Sequence, residues 1–360
     1  MDPMNFIPTP DTIPAPSWLF LFLDLFTFTL HILVINVIIG GSLIVLFSRL
    51  RSPETSLETH LIGGVASKLP TTFALGINLG IAPLLFLQVI YGHLFYSSSV
   101  LMAVYWILVI PLLIIAYYGA YIHIRKYGSS SFLSKGAIFL TSSILLYIAF
   151  VFVNNMTLMA QPEKWGAYLQ NRGGTLLNIK DATFIPRYLH FITASIAVAG
   201  LFLAIIWWMR QRKNIEGAQQ KVKTSLRIFG IATSIQIVIG FWFLLAIPSD
   251  FILQFMGQNL FYTIVLFIGI LLAIGAVISA FLGKLVPTTL HLIPLIIAMV
   301  ITRTNLRSLY LQDVFSLDSL QLSPQYGVMA LFFVIFIVGL GIVGYMVNLG
   351  LKADERGATS

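Results

Sequence analysis

The sequence predicts an all-α integral membrane protein, a polytopic helical bundle of about nine transmembrane helices with its N-terminus outside and its C-terminus inside. Of the 360 residues, 58% are hydrophobic and only 9% are charged, whereas soluble domains carry about a quarter charged residues. Long apolar runs recur along the whole chain, and a membrane span needs about 20 such residues. The chain contains no cysteine, which excludes disulfides, iron–sulfur clusters and covalently attached c-type haem within it.

The elements follow one another without a linker long enough to separate domains, so we expect a single transmembrane domain over residues 1–360. A Pro-rich arm, residues 1–17, lacks the basic segment of a signal peptide, and the first apolar run is expected to stay as a helix. A charge-free turn is expected at residues 97–99 and a longer extramembrane loop at 160–187. The predicted spans are residues 18–47, 72–95, 101–124, 137–159, 185–209, 228–247, 260–282, 286–301 and 328–347.

Charge predicts the orientation of these spans. The net charge is +8, and the basic clusters follow the first, third and fifth spans, which places them all on one side. Positive residues collect in cytoplasmic loops. The sequence therefore predicts a periplasmic arm (1–17), a periplasmic loop (160–187) and a cytoplasmic tail (348–360) in a bacterial inner membrane, and it gives no indication of nucleic-acid binding.

The fifth span opens with the most informative group of residues. Arg187 and His190 are its only ionisable residues before Arg210, and they lie one helical turn apart on one face. Small residues continue that face to Gly200. A porphyrin needs this combination of a nitrogen donor, a cation for a propionate and room for the ring. The alternative is a polar residue at the interface with small residues for helix packing.

The first span carries a second polar face. Asp24, Thr27 and His31 are spaced by three and four residues and so share one side of the helix. Ionisable groups inside the membrane indicate function by default. His31 is predicted as a haem ligand or proton carrier, and Asp24 as part of a proton relay. The alternative for Asp24 is a solvated carboxylate near the outer interface.

The remaining candidates are weaker. His93 ends the second span on the outer side and is an alternative ligand there. Met159 ends the fourth span, and methionine can ligate haem iron, although most membrane methionines fill the core. His123 and His291 sit near inner helix ends and would hold a second, inner haem if they approached each other. We find no phosphate-binding loop, metalloprotease histidine pair or nucleophile elbow.

The order of these features resembles subunit I of cytochrome bd quinol oxidase over roughly the first five spans. The matching positions are His31, the run Ile77-Asn78-Leu79-Gly80 leading to Gln88 and Gly92, the series Asn155, Met159, Gln161 and Pro162, and the run Arg187-Tyr188-Leu189-His190. The resemblance implies that His31 matches the histidine of the oxygen-site haem and that His190 matches the ligand of the low-spin b haem. It also implies nine spans with the N-terminus outside.

The sequence departs from that family in the parts that serve oxygen chemistry. The third span has tyrosines but none of the family's buried glutamates, and residues 248–259 replace its long quinol-binding loop. The seventh span lacks the methionine ligand, and residues 301–305 lack the glutamate of the third haem.

From these features we expect a haem b-binding membrane subunit of a respiratory electron-transfer complex, an oxidoreductase subunit with one or two haems. Electrons would pass between membrane quinone and a periplasmic c-type cytochrome partner, within an assembly with other membrane subunits. One alternative is a haem-free structural or proton-conducting subunit; the second is a divergent bd-type terminal oxidase.

Overall fold

The chain is helical in a computed structural model that describes residues 7–51, 61–127, 131–170 and 172–357. Nine helices in these described ranges are long and apolar enough to cross a membrane, which confirms the all-α class and the number of spans. They are α1 (Ser17–Arg51), α2 (Leu69–Leu101), α3 (Ala103–Arg125), α4 (Ser131–Met159), α5 (Phe184–Arg212), α6 (Ala218–Ala246), α7 (Leu260–Phe281), α8 (Leu285–Leu311) and α9 (Tyr326–Gly357). The orientation of the termini stays a prediction.

Two helix ends differ from the sequence prediction. Residues Ser97 to Ser99 are the last turn of α2 and not a loop, because the hydroxyls of Ser97 and Ser99 hydrogen-bond to carbonyls four residues earlier, at 2.8 and 2.7 Å. Such bonds satisfy a polar side chain inside a helix without water. The eighth span was predicted to end at residue 301, but α8 continues to Leu311. This extension contains Arg303 and Arg307.

Helices α1 and α5 form the centre of the bundle. α2 and α4 pack on α1, α6 packs on α5, and α7 and α8 form a further pair beyond α6. α1 and α5 approach closely at Gly40, where an added Cβ atom would lie 1.9 Å from the carbonyl oxygen of Ser195. One turn away, the Ser195 hydroxyl lies 2.9 Å from Oδ1 of Asn36, so a buried polar pair accompanies the small residue. Small residues at interfaces are what membrane helices use for close packing.

A polar network orders the loop before α5. Asp181 accepts hydrogen bonds from Lys164 Nζ at 2.7 Å, Gln161 Nε2 at 2.9 Å and the Thr183 amide at 2.9 Å. Asn178 links the network to α4, because its backbone N–H donates a hydrogen bond to Oδ1 of Asn154 at 2.8 Å. The loop therefore fixes the start of α5. Burial raises the pKa of Asp181, but hydrogen bonds from Lys164, Thr183 and Gln161 outweigh it and hold the pKa at about 2.

Helix α9 stands apart from the bundle. Its apolar stretch, Tyr326–Leu349, contains no buried residue. The segment before it is tied to the N-terminal arm, where Ile13 donates to the Gln321 carbonyl at 2.9 Å and accepts from the Ser323 amide at 2.9 Å. The N-terminal arm and the segment before α9 are therefore joined at the end of the bundle where α1 begins.

Gly40→Ala tests the α1–α5 contact. The new methyl group collides with backbone, which cannot rotate away, so we expect a loss of about 1–3 kcal/mol in the free energy of unfolding. The matched control is Gly339→Ala on α9, where no atom lies within 4 Å of the added Cβ. Thermal unfolding of the purified protein in detergent measures both. Equal melting temperatures for the two variants would contradict the contact.

The Asp181 network predicts a pH dependence. A carboxyl whose folded pKa is about 2, against 3.8 unfolded, stabilises the fold above about pH 4 and loses that contribution as the pH falls toward 2. Discounted for water screening, the contribution is about 1–2 kcal/mol. Unfolding measured from pH 6 to pH 2 should show this loss in the wild type and not in Asp181→Asn. Asp318→Asn, at an exposed position, is the control and should keep the wild-type profile.

Candidate functional site: a buried arginine cluster beside His190

Three arginines converge near the end of the bundle where α1 begins. Arg187 comes from the first turn of α5, and Arg303 and Arg307 come from one face of α8, four residues apart. Together with Tyr310 they line a narrow cavity against α4. We call Arg187, Arg303 and Arg307 the arginine cluster. The nearest carboxylate is Asp24 of α1, whose Oδ2 lies 4.0 Å from Nη1 of Arg307.

Aromatic rings cover the guanidinium groups of the cluster. The distances from guanidinium carbon to ring centre are 4.8 Å for Arg187 over Phe243, 4.4 Å for Arg303 over Phe28 and 4.9 Å for Arg307 over Tyr91. Cation–π contacts offer about 0.5–2 kcal/mol each, but removing an ion from water costs several kcal/mol. The rings therefore offset only part of the cost of removing these cations from water, which is largest for the buried Arg307; Arg187 and Arg303 are half-buried.

Several donors of the cluster are left without acceptors. Nε of Arg187 and both terminal nitrogens of Arg307 are buried and have no hydrogen-bond partner among the described residues, and the same holds for the hydroxyl of Tyr91, whose ring lies against Arg307. Arg307 is only 6% exposed. Buried polar groups in folded proteins are normally satisfied, so this concentration of unsatisfied donors in one place calls for a physical reason.

The backbone of α2 bends beside the cluster. Tyr91 has non-helical angles, φ −126° and ψ 20°, in the middle of a long helix. Its ring is 1% exposed and lies between Arg307 and Phe315, whose ring centre is 5.6 Å away. The bend thus directs an aromatic ring into the cluster.

His190 lies one turn below Arg187 on α5 and faces α6. A Cβ atom added to Gly240 would be 3.2 Å from Cε1 of His190, and Nε2 lies 3.4 Å from Nε2 of Gln236. Nδ1 is buried and has no partner among the described residues. The structure thus brings His190 and Arg187 to one region, as the sequence predicted, with Nδ1 of His190 buried against Gly240 of α6 and without a hydrogen bond.

The strip of small residues below His190 serves packing instead of leaving room for a ring. A Cβ atom on Gly200 would lie 3.0 Å from the Phe229 amide of α6 and 3.3 Å from the Ser225 carbonyl. Ala197 is 2% exposed in the hydrophobic core. The expectation that this strip accommodates a porphyrin is therefore wrong at its lower end, because α6 fills the space.

His31 has a different neighbour, α2. Its Nδ1 lies 3.2 Å from the Gly76 carbonyl, and its ring covers Gly80, where an added Cβ would be 2.7 Å from Cε1. A ring whose Nδ1–H donates to a backbone carbonyl has its lone pair on Nε2, the tautomer of metal-ligating histidines. Since His31 faces α2 and His190 faces α6, they would serve two separate sites.

The other candidates have neighbours of their own. His93 packs edge-on against Phe315, with ring centres 4.7 Å apart. Met159 is fully buried in an apolar cluster with Tyr91 and Trp165. His123 is 0% exposed, with Nδ1 3.0 Å from the Ser134 carbonyl and Nε2 unsatisfied among the described residues.

His291 completes the predicted inner pair. Its Nδ1 lies 2.6 Å from the Pro287 carbonyl, and its ring rests on Gly275 of α7. His123 is instead held by Ser134 of α4. The two side chains therefore belong to different parts of the bundle, and no contact between them supports a shared inner haem.

Arg303, Arg307 and Tyr310 were not predicted as site residues. The eighth span was predicted to end before them, which placed both arginines outside the membrane. One signal was available: no proline or glycine follows Pro294 until after residue 311, so a helix continuing through Arg303 and Arg307 would place both on one face.

Comparison with known proteins gives no match: no family model matches the chain, and no curated protein is significantly similar to it. The resemblance to bd oxidase subunit I therefore stays a prediction. The residues themselves fit a b-type haem in part. His31 and His190 each offer a ring nitrogen, and the cluster offers cations and unsatisfied donors for carboxylates.

Gly80→Ala tests the seating of His31. The added methyl would require the imidazole to move, at a cost of about 1–3 kcal/mol, against a gain of about 1 kcal/mol in helix propensity. Gly92→Ala on the same helix is the control, because its nearest neighbour is at an ordinary 3.5 Å. We expect Gly80→Ala to unfold at a lower temperature than Gly92→Ala. The reverse order would contradict this placement of His31.

Proposed function

We propose that this chain is a haem b-binding membrane subunit of a respiratory electron-transfer complex. The observation that carries the proposal is the position of His190, whose buried Nδ1 has no partner among the described residues, one turn from Arg187 and its cluster. An imidazole next to a group of cations matches the two ends of a haem, an iron that takes a nitrogen ligand and propionates that carry negative charge.

His31 would hold a second haem on the other flank of α1. Its Nδ1 faces the Gly76 carbonyl, which leaves Nε2 as the ligand atom. His93 lies thirteen residues beyond Gly80 on α2, about 20 Å along the helix, so it stays an alternative ligand near the end of α2 and would not share an iron with His31. Met159 has less support, since it is fully buried in an apolar cluster.

The haem would supply one-electron chemistry, and the chain would supply its position and electrostatic environment. Apolar surroundings and nearby cations both influence the potential of a bound haem. The proposed exchange runs between membrane quinone and a periplasmic c-type cytochrome, in a bacterial inner membrane and with other membrane subunits. The exposed apolar length of α9 supports such subunits.

A haem-free proton-conducting or structural subunit is the second candidate, favoured by the Asp24–Arg307 pair at 4.0 Å. A carboxylate that meets arginines near one end of a membrane bundle can transfer protons or act as a structural ion pair. A divergent terminal oxidase has less support, because the third span has no glutamate.

The deciding measurement is a reduced-minus-oxidised optical spectrum of the purified complex with pyridine haemochrome quantification. We expect b-type haem, with about half lost in His190→Ala and a similar share in His31→Ala, because the two rings face different helices. His60→Ala, at a position between the first two predicted spans and outside the described residues, is the control and should keep the full content. Intact complex without any haem would contradict the proposal and favour the haem-free candidate.

A further inference from the structure

The arginine cluster carries an inference that does not depend on haem. We propose that Arg187, Arg303 and Arg307 form a buried binding site for an oxyanion group that carries two negative charges. A pair of carboxylates or a phosphate has this chemistry. The guanidinium groups meet at a narrow cavity that they line with Tyr310, at the end of the bundle where α1 begins.

Charge is the first argument. The cluster brings three permanent cations together, and Asp24, 4.0 Å from Arg307, is the one carboxylate that forms an ion pair with it among the described residues. The group therefore keeps an excess of positive charge at one end of the bundle, although Asp181 of the neighbouring loop also acts on Arg187, and buried unpaired charge is expensive. A dianionic group would neutralise this excess.

Hydrogen bonding is the second argument, and it is independent of the charge. The unsatisfied atoms are Arg187 Nε and Arg307 Nη1 and Nη2, which only donate, and the hydroxyl of Tyr91, which can donate or accept. Donors without acceptors require a ligand that only accepts, and carboxylate and phosphate oxygens do so with several lone pairs each. Guanidinium groups bind both through paired N–H···O bonds.

A purely structural role predicts something different. If Arg307 served only to hold α8 to α1 through Asp24, the best arrangement would be a hydrogen-bonded ion pair. At 4.0 Å the pair is too long for a hydrogen bond, and both terminal nitrogens of Arg307 have no partner among the described residues. Asp24 thus offsets part of the charge without occupying the donors.

Two sources could provide the group: the propionates of a haem, or the phosphate of an acidic phospholipid. Native mass spectrometry of the full chain, purified in non-ionic detergent, distinguishes them by ligand mass and by haem absorbance. Haem b and dioleoyl phosphatidic acid are then titrated separately, with dioleoyl phosphatidylcholine as the zwitterionic control lipid.

We expect one of the two acidic ligands to bind to the wild type, and the double variant R303Q/R307Q to bind it roughly tenfold more weakly. Arg212→Gln is the matched control, since its guanidinium stacks on Trp208 outside the cluster, at 4.3 Å, and it should bind as the wild type does. If phosphatidic acid binds and haem does not, the oxyanion site is supported and the proposed haem at this site is refuted. If haem binds, both the oxyanion site and the haem proposal are supported.

Asp24→Asn gives the sharper test and also serves if the double variant fails to fold. Removing the one negative charge raises the net charge of the cluster, so the affinity for the acidic ligand should increase several-fold. A structural ion pair predicts only lower stability. The proposal is overturned if neither acidic ligand binds the wild type, if R303Q/R307Q binds as tightly as the wild type, or if Asp24→Asn leaves the affinity unchanged or lowers it.

Discussion

The contact between α1 and α5 is the constraint on which the arrangement of the bundle depends. At Gly40 the helices are so close that α5 backbone occupies the place of a side chain. In a bilayer, where burying apolar surface against a helix gains little over lipid, such close packing and a few buried polar pairs hold helices together. The Ser195–Asn36 pair at the same contact fixes the register of the two helices, and that register sets Asp24 of α1 on the same side as Arg187 of α5.

The register explains why the polar residues form two groups. Near the α1–α5 contact the space is fully used, and small residues such as Gly200 serve α6. Toward the end where α1 begins, Arg187, Arg303 and Arg307 line one cavity with unsatisfied donors. Polar network residues such as Asp181 and Asn154 fix the loop beside it. The hydrogen-bonded polar side chains of the loop therefore lie next to the unsatisfied donors of the arginine cluster.

Much of the fold was predictable from the sequence because hydropathy and length set it directly. The spans, their number and the pairing of Arg187 with His190 on one face follow from composition and helical periodicity. The arginine cluster did not, because Arg303 and Arg307 lie beyond the apolar core of α8 and a hydropathy window assigns arginines to water. Only tertiary packing shows that rings from α1, α2 and α6 cover these cations. Local patterns likewise could not distinguish a packing glycine at 200 from space for a ligand.

The chemistry of the site follows from which atoms are satisfied. His31 has its Nδ1 directed to a backbone carbonyl and its Nε2 without that bond, whereas His190 has a buried nitrogen, packed against Gly240, that makes no hydrogen bond to a described group. Neither ring alone requires a haem, since histidines also pack against glycines in membrane bundles. The arginines change the balance, because cations buried without enough counter-charge are unstable unless something else neutralises them. A ligand that brings negative charge to the arginine cluster and an electron-pair acceptor to the imidazole of His190 would satisfy the cluster and the histidine at once.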